Sequence, residues 1–196
     1  MEVTQRELVT MIHGMLFGGF FLLALFGALV LLLDRFNPDR SNSDRIAVGI
    51  SPAQPAPRWQ TIYLIAMVAT GWAAVLSGAT IIYPWYRAVA PAGADLALYP
   101  QRLLMSHPTT AGWHTLGMEW KEHVAWIAPM AGTMVAWVLL KHRAAWNDQR
   151  AVRTAVLGFA VASFLAAAIA GGWGAMIDKK APVQGGQSIQ LMGSAR

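Results

Sequence analysis

Apolar residues gather in four blocks along the chain, at 8–33, 61–83, 123–140 and 154–177, with polar or turn-forming segments between them. A hydrocarbon core of about 30 Å takes about 20 helical residues to cross. Three blocks meet that length and the third falls short. Its helix is therefore expected to begin upstream, near residue 111, and to include Gly117-Met118-Glu119-Trp120-Lys121-Glu122-His123. Such a helix over 111–140 would be about 45 Å long and would project beyond the hydrocarbon. Pro129 lies inside it and predicts a kink, because proline donates no backbone hydrogen bond. The expected fold class is all-α: an integral membrane four-helix bundle, one membrane domain over 1–196, with spans at 8–33, 61–83, 111–140 and 154–177.

The connections differ in character. The first contains Asn37-Pro38-Asp39 and Ser51-Pro52-Ala53-Gln54-Pro55-Ala56-Pro57, which is turn and extended-chain chemistry. The second, 84–110, is a long aromatic and proline-containing loop carrying Trp85, Tyr86, Pro91, Tyr99-Pro100 and His107-Pro108. Its aromatic content predicts an ordered cap over one end of the bundle, with Thr109 or Thr110 capping the next helix. Small residues recur at Gly14 and Gly18, at Gly71, Ser77 and Gly78, and at Ala166, Ala170 and Gly174. Bundle packing is the expected use of all of them. The first block is longer than a signal-peptide core and no small-residue cleavage site follows it, so it reads as an uncleaved span.

Composition sharpens this picture. The chain is 56% hydrophobic and 13% charged, against about 25% charged in ordinary soluble domains. It has no cysteine, which excludes disulfides, cysteine-ligated iron–sulfur clusters and covalent c-type haem. The net charge of +5 comes from residues scattered through membrane-flanking segments. That distribution suits lipid headgroups and excludes a nucleic-acid groove. Eight Lys/Arg flank the first and third connections and seven lie on the other side. By basic density, the positive-inside rule places both termini and the 84–110 loop outside, on the periplasmic side of a bacterial inner membrane. Lys179 and Lys180, just past the last block, argue the other way.

The candidate chemistry sits at the ends of two blocks. His13 lies just inside the first block and His123 opens the third. With four spans, both fall near one surface at similar depth. Two neutral imidazoles on facing helices could ligate the iron of a b-type haem. Glu119 lies one turn before His123 and shares its face. Glu119 and Glu122 are candidates for proton transfer with a quinol, and Arg87 and Lys121 for pairing with haem propionates or with these acids. His114, about 13 Å outward of His123 along a continuous helix, is an alternative metal ligand. His107 and His142 read as structural or surface residues. Met105, His107, His114, Met118 and Glu119 together are also a donor set that copper accepts.

In its four spans, in His13 and His123 on different helices at one surface, and in Glu119 beside a ligand candidate, the chain resembles the small four-helix cytochrome b subunits of membrane oxidoreductases. The resemblance is architectural, covers roughly 8–177, and rests on no sequence motif. It implies haem b, electron exchange with a quinone, and a separate chain as redox partner; an enzyme in its own right is not implied. The contrasting expectation is a non-redox scaffold subunit of a respiratory or photosynthetic complex, in which the 84–110 loop docks partners. The second and fourth blocks contain no ionisable acid or base, which argues against a transporter.

Overall fold

The computed structural model describes residues 2–34 and 58–191. Its chain is mostly helical. Four helices are long and apolar enough to cross a membrane: Gln5–Leu33 (span 1), Arg58–Tyr86 (span 2), Pro108–Lys141 (span 3) and Arg150–Lys180 (span 4). Spans 1, 2 and 4 run three or four residues past their apolar blocks, and span 3 begins fifteen residues ahead of its block. At the start of span 1, Thr4 accepts from the Glu7 amide while the Glu7 carboxylate accepts from the Thr4 amide. That reciprocal pair satisfies two donors the helix cannot. The proline-containing first connection, with Arg35, Arg40 and Arg45, lies outside the described residues.

One buried cluster joins all four spans at mid-height, with Phe21, Leu25, Leu64, Met67, Ala128, Ala136 and Ala166 in it. Phe21 lies so close over Gly71 that a β-carbon there would stand 2.7 Å from the ring. The few polar groups at this depth are tied. Ser163, wholly buried, donates to the Ala128 carbonyl at 2.7 Å. Trp72 donates to Thr133 at 3.1 Å and Tyr63 to the Ala24 carbonyl. Hydrocarbon offers no replacement partner, so such bonds fix the register of the helices. Leu23, Met15 and Ile62, by contrast, are 75%, 72% and 66% exposed and suit contact with lipid chains.

A second cluster, Leu32, Val135, Trp146, Val156 and Ala160, closes one end. A third closes the other with Tyr86, Leu104, Met118, Ile177 and Ala181. At that end the termini pair as a two-stranded antiparallel sheet, Glu2–Thr4 with Ser188–Gln190. The Arg6 guanidinium lies over the Trp85 ring at 5.5 Å, fastening the N-terminus to span 2.

Several expectations change. The 84–110 segment is less of a loop than its sequence suggests: span 2 runs to Tyr86, span 3 starts at Pro108, and a helix over Pro100–Met105 lies between them. The cap of span 3 is His107, whose Nδ1 accepts from the Thr109 amide at 3.3 Å. Thr110 instead donates to the Leu104 carbonyl. Gly14 and Gly18 do not serve packing among the described residues, since there a β-carbon at Gly14 would meet nothing and one at Gly18 only the His13 carbonyl. The disturbance from Pro129 falls one turn earlier, at Ala125–Trp126, where Ala125 bonds five residues back and its carbonyl is taken by Ala128 at 3.1 Å.

Candidate functional site

Four stretches of the spans wind as π-helix: Ile12–Gly19, Gly78–Ile82, Trp113–Met118 and Trp120–Val124. All lie toward the end of the bundle that carries the termini. Each such turn holds an extra residue and re-aims the side chains around it, which is why π-turns concentrate at working sites. Here they contain His13, Gly78, His114, Lys121, Glu122 and His123.

Inside the bundle, the His13 ring lies against Gly78, where a β-carbon would stand 2.8 Å from Cε1. Nδ1 is 3.0 Å from the Ser77 hydroxyl. That hydroxyl spends its own proton on the Ala73 carbonyl at 2.6 Å. Nδ1–H is therefore the donor, and Nε2 keeps its lone pair. Lys121 reaches the same interior. It interacts electrostatically with His13 and Asp178, and its ammonium stands 2.7 Å from where a Gly174 β-carbon would be.

His123 looks the other way. Its side chain is 70% exposed, and Nδ1–H donates to the Glu119 carbonyl at 3.0 Å, with the Glu119 carboxylate 3.5 Å away. Nε2 again keeps its lone pair. Lys121 and His123 are two residues apart on a helix, so they project from roughly opposite sides. His13 and His123 are accordingly not brought face to face. Glu119, Glu122 and His123 do come together, with donor atoms within 4.8 Å of one another, a spacing that could close on a metal ion. Arg87 approaches Glu122 at 3.9 Å and donates to the Tyr83 hydroxyl at 3.0 Å. Two buried polar atoms lack a hydrogen-bond partner among the described residues, Trp120 Nε1 and Glu122 Oε1. Both lie in this stretch.

His114 is buried and both of its ring nitrogens are taken. Gln101 Nε2 donates to Nε2 at 3.2 Å, so Nδ1–H donates to the Tyr86 hydroxyl at 2.8 Å. This chain ties the Pro100–Met105 helix to spans 2 and 3 and leaves His114 no lone pair for a metal. Met118 is buried in the adjoining cluster and His107 is engaged as a cap, so three of the five expected copper donors, His107, His114 and Met118, are committed elsewhere. Tyr86→Phe will orphan the buried Nδ1–H at a cost of about 1–3 kcal/mol. Thermal unfolding in detergent checks this, and an unchanged midpoint would remove the tie from the account.

No family model, curated protein or solved structure matches the chain. The site therefore rests on its own geometry. Sequence reading did not reach Ser77 and Gly78 as partners of His13, Tyr86 and Gln101 as partners of His114, or Asp178 near Lys121. Each pairing depends on which spans adjoin, and the residue types alone carry no mark of it.

Proposed function

We propose that the chain is a membrane-embedded electron-transfer subunit of a larger redox complex, binding one b-type haem and exchanging electrons with a quinol. The observation that carries this reading is the state of the two histidines. At both, the Nδ1 proton is committed to a protein acceptor and Nε2 is left as a lone-pair donor, the arrangement in which second-sphere bonds prepare imidazole for a metal. The donor chemistry fits haem iron at each site. Their placement on opposite sides of span 3 does not let both ligate one iron.

The proposal divides them. His13 is the haem ligand of this chain, and Lys121 is the cation available to a propionate. A b-type haem bound there would supply a one-electron iron couple. His123 belongs to the quinol: its Nε2 and the Glu119 carboxylate accept hydrogen bonds from hydroxyls, and Glu122 lies next to them as a further proton acceptor, held by Arg87. One helix, about 10–12 Å across, separates the two sites. Placement in a bacterial inner membrane, with both termini outside, completes the proposal.

The test is the reduced-minus-oxidised visible spectrum of the protein purified in mild detergent from cells supplied with haem. A sharp α-band in the b-type region is expected. A flat spectrum from folded protein would favour the second reading, a non-redox scaffold subunit. That reading draws on the ties through Tyr86–His114–Gln101 and Arg6–Trp85, which hold the cap as a firm surface for partners.

A further inference from the structure

Glu119, Glu122 and His123 stand three and four residues apart on span 3, the spacing at which helix side chains are neighbours. One donor atom from each lies within 4.8 Å of the other two. Ligands held by zinc at about 2.0–2.2 Å in a tetrahedron stand about 3.4 Å from one another. Closing the widest pair therefore asks for a shift of roughly 1.4 Å. The side chains of His123 and Glu119 are 70% and 52% exposed and can make that shift by rotamer changes. Glu122, at 20%, is the anchored member.

Two features set this triad apart from a solvated patch of acids. The first is Glu122 Oε1, which is buried and has no hydrogen-bond partner among the described residues. A carboxylate oxygen taken out of water without a partner is costly. Arg87 does not supply one. Its Nη1 is 3.9 Å away, beyond hydrogen-bond length, and donates instead to the Tyr83 hydroxyl. The second feature is His123, whose Nδ1–H is held by the Glu119 carbonyl at 3.0 Å. A backbone bond of this kind fixes the tautomer and leaves Nε2 as a ligand.

We infer that Glu119, Glu122 and His123 form a binding site for a divalent transition-metal ion of the zinc type, with its fourth position open to solvent. The donor set selects the ion. Calcium takes six to eight oxygens and magnesium an octahedron of them, and neither gains from an imidazole. Two carboxylates and one imidazole suit zinc and its neighbours in the first transition row. Charge agrees, because two carboxylates outweigh the single guanidinium of Arg87 and attract a dication. All three ligands come from one turn of one helix. The ion therefore clamps the π-wound segment Trp120–Val124 and does not join two spans. None of this rests on the redox reading. An ion and a quinol draw on the same donors, so each excludes the other from this place.

The test is calorimetric titration of zinc chloride into the whole protein in mild detergent, without quinol or chelator, and the same titration with magnesium chloride present in excess. Zinc is expected to bind and magnesium to leave it in place. Losing a residue that merely orients a ligand costs about 10–100-fold in metal affinity. Glu122→Gln and His123→Ala remove ligands and should each weaken zinc by at least that factor. His123 is exposed, so its loss leaves the packing intact. Arg87→Gln removes the neighbouring positive charge and should tighten binding. His142→Ala, at the other end of span 3, should change nothing. Absence of zinc binding, binding that survives both ligand substitutions, or displacement of zinc by magnesium would each overturn the inference. Zinc binding as described in protein without a haem band would remove the redox reading and leave this site standing; a haem band without zinc binding would do the reverse.

Discussion

His13→Ala is expected to abolish the b-type α-band, and His123→Ala to keep it. The asymmetry follows from where each imidazole is aimed. His13 packs inside the bundle, where it interacts electrostatically with Lys121 and bonds to the Ala74 backbone as well as, through Nδ1, to Ser77. Removing the ring takes away the chain's only interior imidazole with a free lone pair, so haem content should fall to background. The fold should survive, because the lost polar contacts are those to Ser77 and the Ala74 backbone, each worth about 0.5–1.5 kcal/mol. His123 faces outward, and its loss should appear in quinol affinity instead. Pyridine haemochrome content of the two purified variants, set beside their quinol titrations, is the measurement. Loss of haem in both would mean that span 3 turns to bring the histidines onto one iron. Loss in His123→Ala alone would exchange the two assignments.

The same pair shows what a sequence can and cannot say here. Depth along the bilayer was legible: four apolar blocks put His13 and His123 near one surface, and the structure keeps them at one end. Direction around the helix was used for Glu119 and His123, which share a face, and not for His123 against Lys121. Yet Lys121 and His123, two residues apart, had to face opposite ways on any helix, so an interior Lys121 already implied an outward His123. The partners of His13 were out of reach, since no pattern announces that Ser77 and Gly78 of span 2 lie against it. Pro129 was expected to kink span 3, and the backbone bonding departs from the α pattern at Ala125–Trp126, because the proline clash acts on the carbonyl four residues earlier. Gly14 and Gly18 form the tidiest small-residue motif in the chain, and among the described residues a β-carbon there would meet only the His13 carbonyl. Gly71, also expected to serve packing, and Gly117, which was not singled out, both pack tightly. Close approach is a property of the facing residue, and the facing residue is set by tertiary contacts.

That contrast leads to the largest stability effect expected. Gly71→Ala should lower the stability of the bundle by about 1–3 kcal/mol, the usual cost of overpacking, and Gly71→Leu should prevent assembly of a single native state. A β-carbon at 71 would stand 2.7 and 2.8 Å from two edge carbons of Phe21. The ring has little room to retreat, for it is 2% exposed and buried in the cluster that joins the four spans. Gly117 is placed alike, with the Trp173 ring at 2.8 Å, and Gly117→Ala should also be costly. Gly174 makes the control. There the nearest atom is the Lys121 ammonium at 2.7 Å, the tip of a flexible chain, and the next stands at 3.9 Å. Lys121 can swing by a rotamer, while alanine gains roughly 0.5–1 kcal/mol over glycine within a helix. Gly174→Ala is therefore expected to be neutral or mildly stabilising in thermal unfolding followed by near-ultraviolet circular dichroism. Equal losses at 71 and 174 would show that glycine is needed in these helices for a reason other than the rigidity of the ring it faces.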